Sequence, residues 1–232
     1  MQVVGMAQGK DLTDILGSIE ELAKRGHISS SRAFAAWFAI HFFSLDEDEA
    51  LEAAAADGGN DQGIDLAFVD DTAGQIVILQ AHFPGNLTKV TRKEKWDAVV
   101  SSIPFIKQPE LLGSAGRPDL AEALSAMKDA HPDYAIEVGL ITLGLKSQQI
   151  LDSVTAHQNT DPEWDYFYLS QEDLVAKYRA LVASEGGIAE DTLAFAGDHF
   201  EDQGDYGRAW VGSVTAEELD RPPPSGPGYL LV

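Results

Sequence analysis

Cysteine is absent from the 232 residues, which removes disulfide frameworks, thiolate metal sites and cysteine nucleophiles. Positive charge is scarce: 16 Lys and Arg stand against 38 Asp and Glu, a formal net charge of −22. A protein that coats nucleic acid grips phosphates with Lys and Arg, so this balance argues against general coating. It leaves room for a local basic patch and for contact through metal ions. No apolar run reaches the length of a membrane span, and the first residues lack the basic-then-apolar order of a secretory signal. The expected location is the cytoplasm, with no membrane partner. Neither a G-x-S-x-G elbow nor a G-x-x-x-x-G-K loop occurs, which sets aside serine hydrolysis and ATP use.

What is present reads as a folded chain with a sizeable core, since 44% of its residues are hydrophobic. Leu12, Ile15, Leu16, Ile19 and Leu22 form one stripe of a helix over residues 11–25, with Gly26 as its stop. Ser29 to Ser31 offer caps for a second helix through Phe34, Trp37, Phe38, Ile40 and Phe42. Being apolar all round, that helix should be buried. An acidic helix over 46–56 ends at Asp57-Gly58-Gly59-Asn60. Strands are expected at 63–69, 75–83, 134–142, 164–169, 193–195 and 209–214. Helices are expected at 91–106, 119–130, 147–157 and 171–182. Such alternation indicates an α/β fold with a mixed sheet flanked by helices. Three regions result: a helical segment 1–56, an α/β core 57–220, and a Pro/Gly-rich tail 221–232.

Two polar groups interrupt the two strands that otherwise read as fully buried: the acidic, glycine-rich run from Asp57 to Asp65, and Gln80-Ala81-His82. Buried polar groups cost free energy unless partnered. With Thr72-Ala73 at the tip of a tight hairpin, Val69 faces Ile76, Ala67 faces Ile78 and Asp65 faces Gln80. Asp65, Gln80 and His82 then share a face with Ala67, Val69, Ile76 and Ile78. Ile64, Leu66 and Phe68 take the other face with Val77, Leu79 and Phe83. A sheet apolar on both faces lies between helices. The plain alternative for the polar trio is a hydrogen-bonded patch at a wet sheet end. Against it, Asp57 and Asp61 bring further carboxylates to the same edge, and anions crowd at a cost unless a cation joins them. Oxygen donors of this kind suit Mg²⁺ or Mn²⁺. Lys89, Arg92, Lys93 and Lys95, four of the 16 basic residues, form the one local basic patch. They read either as a nucleic-acid contact or as a solvated helix start.

These residues resemble the PD-(D/E)xK nuclease superfamily, and more narrowly the N-terminal nuclease-like domain of bacterial abortive-infection phage-resistance proteins. Asp61-Gln62-Gly63-Ile64-Asp65 is similar to the family's glycine-rich Asp–Gly–Ile–Asp loop. Gln80-Ala81-His82-Phe83 stands where the family has Gln-x-Lys and an aromatic residue. The resemblance implies a restriction-endonuclease-like fold hydrolysing DNA phosphodiesters in anti-phage defence. It implies Asp65, Gln80, the Ala81 carbonyl and Asp61 as metal ligands, and Asp65, Gln80 and His82 as the catalytic set. Partners would be DNA or RNA, with a homo-oligomer or a further protein left open.

His82 replaces the family's lysine. A lysine is charged at neutral pH, whereas an unperturbed histidine is only about a quarter charged at pH 7. Two expectations follow. In one, His82 acts as general base or phosphate contact, kept charged by neighbouring carboxylates. In the other, the fold is a degenerate nuclease that binds nucleic acid or a protein without cutting. Elsewhere, His27, His41, His131, His157 and His199 show no metal-ligand spacing. Trp164-Asp165-Tyr166-Phe167-Tyr168 reads as core before it reads as a base-stacking platform. The run from Asp198 to Asp202 reads as an acidic loop between strands before it reads as an ion site.

Overall fold

In the computed structural model, which describes residues 2–56, 62–185, 200–204 and 207–211, the N-terminal helices stop and start where capping chemistry dictates. α1 spans Gln2–Gly26 and so begins ahead of its amphipathic stripe; no proline breaks the preceding residues. α2 spans Ser30–Phe43. The Ser29 hydroxyl accepts the Arg32 N–H at 3.1 Å to open it, and Ser44 closes it at a left-handed φ of 57°. Every residue from Ala33 to Ala39 is buried, as an all-round apolar helix requires. α3 (Glu47–Ala53) opens on a capping box. Asp46 accepts the Glu49 N–H at 2.8 Å and Glu49 accepts the Asp46 N–H at 3.2 Å. A 3₁₀ turn, Ala54–Ala56, follows.

The chain divides into two compact units, residues 1–178 and 179–232. The first is an α/β unit built on a four-stranded mixed sheet in the order β1-β2-β3-β4: Leu66–Asp70, Gln75–His82, Ala135–Thr142 and Asp165–Leu169. β1 and β2 form an antiparallel hairpin, while β2, β3 and β4 run parallel. α4 (Glu94–Lys107), α5 (Glu110–Ser114) and α6 (Pro118–Ala130) connect β2 to β3. α7 (Gln148–Thr160) connects β3 to β4, and α8 (Gln171–Glu185) follows β4. One sheet face packs Leu66, Phe68, Val77 and Leu79 against α1, α2 and α8 through Ile15, Phe34, Trp37 and Leu174. The other packs Ala67, Ile76, Ile78, Val138 and Leu140 against Trp96, Ile106, Leu124 and Ile150 of α4, α6 and α7. In the second unit, β5 (Phe200–Gly204) pairs antiparallel with β6 (Gly207–Val211).

The hairpin has the register the alternation predicts: Val69 opposite Ile76 and Ala67 opposite Ile78. Asp70 fixes the turn, its Oδ1 accepting the N–H groups of Thr72 and Ala73 at 3.0 and 3.2 Å. Several boundaries differ from the sequence reading. β1 starts at Leu66, because Gln62 and Gly63 turn left-handed with φ of 56° and 83°. Ile64 thereby joins the core beneath α4 instead of the face it was expected to share with Leu66. α4 starts at Glu94, because the Thr91 N–H donates to the Leu145 carbonyl at 3.0 Å and Val90 bridges to Leu145. The short α5 was not anticipated. Phe200 to Asp202, expected in a loop, belong to β5. Residues 57–61, the expected strand 193–195 and the tail 221–232 lie outside the described residues.

Glu137 on β3 sits in register with Asp165 on β4. Burial, Asp165 and Asp70 together raise its carboxyl above the ordinary glutamate range, with Lys177 opposing. A carboxyl raised in the fold binds more protons folded than unfolded, so stability falls as pH rises through that range and stays lower above it. Glu137→Gln removes the penalty. Thermal melts should show the variant more stable than wild type at pH 7, by roughly 0.2–1 kcal/mol for a like-charged cross-strand pair. The gap should close under acid conditions; an equal gap at all pH values would contradict this account.

Candidate functional site

β2 carries Gln80, Ala81 and His82 to the C-terminal edge of the parallel strands, the end where α/β sheets leave room for ligands. Side chains alternate along a strand, so Gln80 and His82 share the α4 face with Ile76 and Ile78. Thr142 of β3 lies beside His82 in register.

Asp65 does not stand opposite Gln80 as a regular ladder would place it. Its N–H donates to the Leu79 carbonyl at 2.9 Å while Leu66 is the register partner of Leu79, so two residues oppose one. This is a β-bulge, a device that re-aims a side chain. The Asp65 Oδ2 accepts the Ala81 N–H at 2.8 Å, taking the place of the next ladder residue at the end of β1. The bulge is held by Gly63. A Cβ there would come within 2.8 Å of the Ala98 carbonyl oxygen of α4, and its φ of 83° favours glycine in any case.

Asp65, Gln80 and Ala81 place oxygen donors at this end of the hairpin. The N–H and C=O of one strand residue point to the same side, so the Ala81 carbonyl faces the side where Asp65 sits. The Gln80 Oε1 is buried and has no hydrogen-bond partner among the described residues. A buried acceptor without a donor is costly and asks for a partner. A hard cation fits that requirement, with Asp65, Gln80 and the Ala81 carbonyl as its oxygens. Asp61 lies outside the described residues. Among the described residues no group of three or more His, Asp or Glu is set to hold a metal.

His82 is half-buried and opens on a cavity of about 320 Å³. Among the described residues, Lys89, Arg92 and Lys95 line it with Asn86, Thr91, Gly144 and the 84–85 turn, and no carboxylate does. Burial, then the nearby Lys95 ammonium, push the His82 imidazole down to about 4. Among the described residues the charge that acts on His82 is thus a cation; Asp57 and Asp61, expected near it, lie outside the described residues. Lys93, expected in the basic patch, is ion-paired with Asp97 one helical turn on and does not line the cavity. The Leu145 N–H donates to the Lys89 carbonyl at 2.9 Å, which fixes the backbone on which Lys89 sits. A Cβ at Gly144 would meet the Thr91 hydroxyl at 2.5 Å, so that wall admits only glycine without rearrangement. Sequence reading missed Asn86, Thr91 and Gly144. Pro84-Gly85-Asn86 carries a turn signal, but nothing in the sequence brings Gly144 to His82.

Comparison with family models, curated proteins and solved structures gives no match to this chain. No described helix is long and apolar enough to cross a membrane.

Proposed function

We propose that this chain is a restriction-endonuclease-like domain that hydrolyses DNA phosphodiesters with Mg²⁺ or Mn²⁺. The observation that carries the reading is the unsatisfied Gln80 oxygen beside the Asp65–Ala81 hydrogen bond, one residue from a histidine that opens on a cationic cavity. Asp65, Gln80 and the Ala81 carbonyl would hold the ion, with Asp61 as a further ligand. Bound there, the ion supplies Lewis acidity and lowers the pKa of a coordinated water. Lys95, Arg92 and Lys89 bind and orient the phosphate, and Lys95 provides the positive charge that the residue at 82 does not. The neutral imidazole of His82 has a lone pair to accept a hydrogen bond from the attacking water. A base this weak positions that water and takes its proton only as the new phosphorus–oxygen bond forms and the bond from phosphorus to the leaving sugar oxygen breaks, that oxygen taking up a proton from solvent. The anti-phage role rests on the resemblance described above.

A second reading, a non-cutting nucleic-acid or protein binding module, is favoured by the same neutral His82, which lacks the charge of a lysine. Incubating supercoiled plasmid and single-stranded DNA with Mg²⁺ or Mn²⁺ separates the two. Cleavage by the wild type is the expected result. A silent wild type beside a cutting His82→Lys variant would establish the second reading, and failure of both to cut or bind DNA would overturn the nuclease and the DNA-binding readings.

A further inference from the structure

β1 is the outer strand of its sheet, and among the described residues only β2 pairs with it. Leu79 turns its carbonyl toward β1, so its register partner Leu66 turns its own peptide groups toward β2. Alternation then sends Phe68 and Asp70 the same way and points the N–H and C=O of Ala67 and Val69 outward. No described residue hydrogen-bonds to those four groups. β1 reads Leu-Ala-Phe-Val-Asp, without the proline or lysine that usually guards an exposed edge.

Ala67, 4% exposed, and the partly exposed Val69 line a cavity of about 640 Å³ between α3 and α6. Phe43, Phe68, Leu120 and Met127 give it apolar walls. Its rim carries Glu49, Glu52, Asp70, Asp71 and Asp119 against Arg117.

We propose that this groove takes an extended basic segment of another protein, which adds to β1 as a fifth strand of the four-stranded sheet. Peptide groups in register that have no partner among the described residues call for a strand, because only another backbone in extended form satisfies them together. The apolar walls accept alternate side chains of that strand, and the rim carboxylates select Lys and Arg at the positions between. The same carboxylates argue against a second copy of this chain. It would bring an identical acidic edge, on a chain of net charge −22.

The test uses the full chain and a fluorescein-labelled peptide alternating Lys or Arg with Val or Leu, followed by polarisation. Binding is expected, with at least about a tenfold loss in Val69→Pro, which removes an outward N–H and leaves the β1–β2 ladder intact. Circular dichroism checks that the variant folds. Peptides N-methylated on alternate residues give an independent reading on the wild type. Methylation along one edge of the peptide should abolish binding, and along the other should spare it. Glu52→Lys should weaken binding several-fold. The proposal is overturned if wild type binds nothing, or if a proline-interrupted peptide of equal charge binds equally well. Indifference to N-methylation would likewise reduce the contact to surface charge. A dimer seen by light scattering and dissolved by Val69→Pro would assign the edge to a second copy instead.

Discussion

Asp65→Asn should abolish metal-dependent cleavage, with a loss of at least about a hundredfold in rate, while leaving the fold in place. Asparagine keeps an oxygen for the Ala81 N–H, which Asp65 accepts at 2.8 Å, so the bulge retains its anchor. What it removes is the negative charge that a hard cation needs. Second-shell changes at metal sites already cost 10–100-fold, and a direct ligand should cost no less. Supercoiled plasmid with Mg²⁺ or Mn²⁺, followed over time for wild type and variant at matched circular dichroism, gives the measurement. Cleavage at an undiminished rate would mean that Asp65 is only the anchor of a bulge.

Trp37→Ala should be the most damaging single change to stability, costing about 3–5 kcal/mol. Trp37 is 1% exposed. Its ring lies 5.0 Å from His41, 5.7 Å from Phe42 and Tyr178 and 6.4 Å from Phe34. Phe34 in turn contacts Phe83, at 6.0 Å between ring centres, next to His82. A cavity at Trp37 therefore loosens the packing behind the end of β2 as well as the α2 layer. Since net stability is typically only about 5–15 kcal/mol, the variant should be close to unfolding at moderate denaturant. Trp37→Phe should cost less, because the indole N–H has no hydrogen-bond partner among the described residues, so its removal strands none of them. Urea titrations of the three proteins would order them. A midpoint for Trp37→Ala near that of wild type would contradict the packing described here.

The hairpin was legible in the sequence because Ala67, Val69, Ile76 and Ile78 alternate with residues of the opposite core, so one register buries both faces. The all-round burial of α2 was legible for the same reason, since no polar stripe interrupts Ala33 to Ala39. The bulge at Asp65 was not. It depends on Gly63 pressing against the Ala98 backbone, a contact between segments that no local pattern encodes. The state of His82 was likewise hidden, because desolvation and the Lys95 charge are products of packing. The basic patch was half legible. Lys89, Arg92 and Lys95 do gather around one cavity, while Lys93 pairs with Asp97 four residues on along the helix. The walls at Thr91 and Gly144 appear only once β2 and β3 lie side by side.

Titration of Mn²⁺ into the wild type, Asp65→Asn and Gln80→Leu proteins, read by calorimetry or by the electron paramagnetic resonance of free Mn²⁺, tests the proposed cation site directly. The account predicts a single ion per chain in the wild type and affinity weakened at least about tenfold in each variant. Equal Mn²⁺ binding by all three proteins, or none by the wild type, would contradict it.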